Sequence, residues 1–156
     1  HLSHLGDYLL ADTRHHFYDK DGNQPTSGDK KFEIYTSSLI KFSNLAKKKG
    51  IKVILIGSTI RDNMFLRSSK EWFRPFPKKV LEEEYANANK INIAFEERFE
   101  KFQNIFFFDT LKEVPCCDNH QQYSIYLRDS DHLSDFGAEA LTKKLIPFIL
   151  KINNQI

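Results

Sequence analysis

At 156 residues and 40% hydrophobic composition, the chain is long enough to bury a core, and residues 1–156 read as one domain. Its 23 basic and 21 acidic residues are interspersed for a net charge of +2, with no basic stripe, which argues against a nucleic-acid partner. No apolar run reaches membrane-spanning length and no signal-peptide pattern occurs, so a membrane link is expected only through a fused segment.

The chain opens His1-Leu2-Ser3 rather than on Met and is expected to be a partial sequence. Residues 1–10 read as the end of a strand running into a loop at Gly6-Asp7, with His4 a candidate for the rim of a site and solvation its plainer role. His15-His16 adds no regular ligand spacing, so no metal is expected. Residues 19–29 form a polar Gly/Pro-containing loop. It starts like a calcium loop but lacks the glycine at position six and the glutamate at position twelve.

Phe32, Tyr35, Leu39, Phe42 and Leu45 or Ala46 then repeat every three or four residues, which predicts a helix with these positions facing the core. Lys47-Lys48-Lys49 suits its negative carboxyl end, and Gly50 closes it. The run from Ile51 to Gly57 is nearly all aliphatic and predicts a parallel strand buried on both faces. Ser58 follows that strand directly and is a candidate nucleophile or loop support, although no helix signature follows it. Residues 61–78 form a long loop after the strand's carboxyl end, where open α/β sheets bind ligands. Arg61 and Trp72 in that loop are candidate substrate contacts, with packing over the core the competing role.

The spacing of Leu81, Tyr85, Ala88, Ile91 or Asn92, Phe95, Phe99 and Phe102 predicts a long helix from Val80 to Gln103, with Glu82 to Glu84 near its amino end. Ile105 to Phe108 is the next buried strand, and Asp109 is expected to cap the turn at Thr110-Leu111 rather than face a site. The polar connection at 112–122 holds Cys116 and Cys117, adjacent residues expected as free thiols because a bridge between neighbours is strained. No second Cys or His pair follows at zinc-ligand spacing.

The apolar run Tyr123 to Leu127 ends at Arg128-Asp129-Ser130-Asp131-His132-Leu133-Ser134. Ser134 is a good N-cap, and Phe136, Ala140, Leu141, Leu145, Phe148, Ile149 and Ile152 predict a closing helix. A histidine between a strand and a helix start suits a general base. Asp129 would accept from one ring nitrogen and fix the tautomer, leaving the other nitrogen to take a proton. Asp131 reads as a loop cap, with exchange of roles with Asp129 left open.

The block Asp129-x-Asp131-His132-Leu133-Ser134-x-x-Gly137-Ala138, followed by an amphipathic helix, resembles the last motif of the SGNH (GDSL-like) hydrolase superfamily. It looks most like the SGNH domains fused to membrane acyltransferases of surface-polysaccharide O-acylation. The resemblance implies a Ser-His-Asp triad with His132 and Asp129 as two members. It further implies ester hydrolysis or O-acyl transfer on acylated carbohydrate, no cofactor, and a periplasmic or extracytoplasmic location. Helices alternating with strands agree with the implied fold, a three-layer α/β/α sandwich with a mainly parallel sheet. The family's first motif, Gly-Asp-Ser, does not occur in the chain. Loss by truncation is favoured over divergence, and this chain alone is expected to be inactive, since a base without its nucleophile forms no acyl-enzyme. The alternative of another class is a non-catalytic α/β module that binds a glycan or a protein.

Overall fold

The computed structural model describes residues 18, 21–23, 28–57, 78–113 and 133–154. Over these the order is helix α1 (Gly28–Lys47), strand β1 (Val53–Ile56), helix α2 (Lys78–Phe99), strand β2 (Ile105–Phe108), the short helix α3 (Thr110–Glu113) and helix α4 (Asp135–Asn153). The fold class is α/β. β1 and β2 pair in parallel, with Val53 opposite Ile105 and Ile56 opposite Phe108, so α2 is the crossover that a parallel pair requires.

Side chains alternate across the sheet, and the two parities meet different helices. Leu55 and Ile105 join Ile91, Phe95 and Phe99 of α2 in one apolar cluster, with Phe107 and the α1 residues Phe32, Tyr35, Leu39 and Ile40 packed against it. Phe95 is the hub: its ring lies 5.2 Å from Phe32, 5.8 Å from Tyr35 and 6.0 Å from Phe99. Phe108, of the other parity, meets Phe148 of α4 edge-on at 5.1 Å.

Several expectations are met and several are corrected. Gly50 does close α1: it takes φ +70°, and its N–H donates to the Lys47 carbonyl at 3.0 Å. β1 is shorter than expected, and it is not sealed on both faces, since Ile56 at its carboxyl end is exposed. α1 starts at Gly28, inside the expected loop, and α2 starts at Lys78, so its acidic run falls in the second turn. α2 ends at Phe99 rather than Gln103. There the Phe102 N–H turns back to the Phe99 carbonyl at 2.9 Å, and Ile105 N–H to Phe102 at 3.1 Å, which delivers the chain to β2.

The largest correction concerns α1. Phe42 is expected inside but is 58% exposed, and of the alternatives Leu45 and Ala46 it is Ala46 that is buried, beside Thr36 and Ser43, with Leu45 63% exposed. The buried face is rotated toward small residues because the entry to β1 comes in close. Asn104 Nδ2 donates to the Ser43 carbonyl at 3.0 Å and to the Ile51 carbonyl at 3.0 Å, tying the helix end to the strand entry. Thr36 is tolerated there because its hydroxyl donates back to the Phe32 carbonyl at 2.8 Å. Phe136, expected on the inner stripe of α4, is likewise exposed, and Gly137 is the buried residue of that turn.

Candidate site at the carboxyl edge of the sheet

The sequence candidates Asp129, His132, Asp131, Ser58, His4, Arg61 and Trp72 all lie outside the described residues, as do Cys116 and Cys117. What the structure does describe is the frame on either side of them in sequence. Gly57 precedes Ser58, and Leu133 and Ser134 follow His132.

Ser134 caps α4 as expected. Its backbone is extended (φ −68°, ψ 168°), and its Oγ accepts from the Gly137 N–H at 3.1 Å. The direction of α4 follows from two contacts farther along. Lys52, just before β1, donates its ammonium to the Ile152 carbonyl near the helix's carboxyl end. Phe148, one turn earlier, meets Phe108 at the carboxyl end of β2. α4 therefore runs against the strands. The 18 residues from Ile152 back to Ser134 span about 27 Å at 1.5 Å each, while the strands rise about 13 Å over four residues. The amino end of α4, with its positive dipole, thus points to the carboxyl end of the sheet.

At that edge sits a buried polar cluster built from both strands and from α2. The ladder continues past β1 through the Gly57 N–H, which donates to the Phe108 carbonyl at 2.8 Å. Thr110 Oγ1 donates to the Gly57 carbonyl at 3.3 Å. Asn92 of α2, fully buried, donates its Nδ2 to Asp109 Oδ1 at 2.7 Å, and the same oxygen accepts from the Leu111 N–H at 3.0 Å. The capping role expected of Asp109 is the one observed. A Cβ on Gly57 would stand 2.9 Å from both Asn92 Oδ1 and Phe107 Cζ, so only glycine lets the carboxamide lie over the end of β1.

Asp109 is 6% exposed, and its Oδ2 has no hydrogen-bond partner of good geometry among the described residues. Lys112 Nζ lies 3.4 Å from it and 2.6 Å from Glu96. The hydrogen bond to Glu96 is the main reason the Lys112 ammonium holds its proton more tightly than usual. The cluster thus ties the ends of β1 and β2 to α2 around one buried carboxyl group. Asn92 was legible only as a position on an apolar stripe. Its partner is 17 residues away, and the lone signal was an amide among Ile91 and Phe95.

A separate groove of about 540 Å³ runs between α2 and β2 past Phe148. Its walls include Glu97, Phe99 and Phe106, and none of the edge cluster lines it. Among the described residues no group of three or more His, Cys, Asp or Glu could hold a metal, and no helix is long and apolar enough to cross a membrane.

A family model, the SGNH domain (fused to AT3 domains), matches the chain over residues 3–147. The matched span contains both sides of the edge cluster and the Asp129–His132 block. No curated protein and no solved structure matches.

Proposed function

The chain belongs to the family of SGNH domains fused to AT3 domains, an acyl-hydrolase and acyltransferase context, and from that membership we propose that it serves ester hydrolysis or O-acyl transfer on acetylated carbohydrate. The observation that carries the proposal is the family match running through the Asp129-x-x-His132 block. The course of α4 supports it, because the helix that follows His132 by three residues has its amino end at the carboxyl edge of the sheet. Contacts of α1 and α2 with one strand parity and of α4 with the other support a three-layer sandwich.

In this reading His132 takes the proton from a serine hydroxyl as its oxygen attacks the ester carbonyl carbon. Asp129 accepts from the second ring nitrogen and stabilises the imidazolium. The tetrahedral intermediate collapses by breaking the bond to the sugar oxygen, which leaves with the proton from His132. Water or an acceptor hydroxyl then repeats the attack on the acyl-serine, with His132 again as base. The serine comes from a Gly-Asp-Ser segment outside these 156 residues, and Asp131 supports the loop. Arg61, Trp72 and His4 belong to the rim in the same proposal, and Ser58, like Asp131, supports a loop.

The test is turnover of p-nitrophenyl acetate by the full-length protein and its His132→Ala variant. The expected result is a loss of kcat by about 10³-fold or more. Turnover unchanged by the substitution would remove the triad.

A further inference from the structure

α1 leaves two large apolar side chains outside the core, and they share their surface with unpaired lysines. Phe42, Leu45 and Ile51 are 58%, 63% and 54% exposed. On a helix of 100° per residue Phe42 and Leu45 stand about 60° apart on the outer face, with Lys41 about 40° beyond Leu45. Lys48 and Lys49 follow in the turn that leads through Gly50 to Ile51. Lys41, Lys48 and Lys49 form no ion pair among the described residues. From Ile34 to Gly57 the chain carries five lysines and no acidic residue, a local excess inside a sequence whose net charge is only +2.

We propose that this surface, the carboxyl end of α1 with the entry to β1, rests on an anionic lipid bilayer. The chemistry selects lipid over protein. Protein interfaces are depleted in lysine at their centres, whereas membrane-surface helices set Phe and Leu between lysines that reach anionic headgroups. The segment that forms the patch, from Ile34 to Gly57, carries no carboxylate to pair with a partner's cation, only ammonium groups and apolar bodies. Its place in the fold also fits. It lies at the amino end of the strands, so a bilayer held there leaves the carboxyl edge, with Gly57, Asn92 and Asp109, facing away from the lipid. The inference stands apart from the proposed catalysis and needs none of its residues.

Flotation of the 156-residue chain with vesicles tests it. Vesicles of equal phosphatidylcholine and phosphatidylglycerol are expected to carry the protein at low salt. Phosphatidylcholine alone, or about 0.5 M salt, should release it, because the attraction is screened. The double variant Phe42→Ser with Leu45→Ser, and the triple variant Lys41→Glu with Lys48→Glu and Lys49→Glu, should each lower partitioning about tenfold or more. Circular dichroism of both should be unchanged, since all five positions are exposed. A chain that stays soluble with anionic vesicles, or variants that float as wild type does, would overturn the proposal. So would a lipid-free dimer in sedimentation velocity that the Phe42→Ser, Leu45→Ser variant splits, which would assign the patch to a second copy.

Discussion

Asn92 is an amide in the middle of an apolar helix face, and it is completely buried. Such a group is stable only when bonded, and its 2.7 Å bond to Asp109 spans from α2 to the end of β2. Asn92→Ala should cost about 1–3 kcal/mol, because it strips the buried Asp109 of a donor. Gly57→Ala should cost about as much, since the new Cβ meets Asn92 and Phe107 at 2.9 Å. The two changes should be less than additive in urea unfolding, because removing the carboxamide clears part of the clash; strict additivity would mean the groups do not touch. Tyr35 gives a second residue-level test. Burial pushes its phenol up to about 12, so the folded state holds a proton that the unfolded state releases near 10. That contribution is complete below pH 10 and is lost as pH rises toward 12. Chemical denaturation at pH 9 and pH 11 should show a smaller fall for Tyr35→Phe than for wild type.

At the scale of elements, α1 shows where sequence pattern informs and where it misleads. Its existence, its glycine stop and its rough length follow from the spacing of Phe32, Tyr35 and Leu39. Its rotation does not, because apolar spacing puts Phe42 inside and leaves Leu45 and Ala46 as alternatives. Close approach of the β1 entry, held by Asn104, instead selects Ser43 and Ala46. Ala46→Leu should therefore overpack and destabilise by about 1–3 kcal/mol, while Phe42→Ser stays within about 0.5 kcal/mol. Thermal melts with the opposite ranking would restore the unrotated helix. α2 was more legible, since Ala88, Ile91, Phe95 and Phe99 are all buried on one continuous stripe. The pairing of Asn92 with Asp109 was hidden, because nothing local announces a bond between side chains on different elements.

For the whole molecule, the candidate motif Asp129-x-x-His132 is a short local pattern ahead of a capped helix, and the family match runs through it. The cap itself is observed at Ser134, and the helix it starts runs against both strands. What local pattern carries no trace of is the floor beneath that edge, assembled from Gly57, Asn92, Asp109 and Thr110 across more than fifty residues. The proposed function requires that Asp129, and not Asp131, steer the imidazole of His132. Its most direct test is kcat for p-nitrophenyl acetate in the full-length protein with Asp129→Asn and, separately, Asp131→Asn. The predicted result is a fall on the order of 10⁴ for Asp129→Asn, the scale of that change in other triads, with Asp131→Asn close to wild type. Wild-type turnover by Asp129→Asn would contradict it.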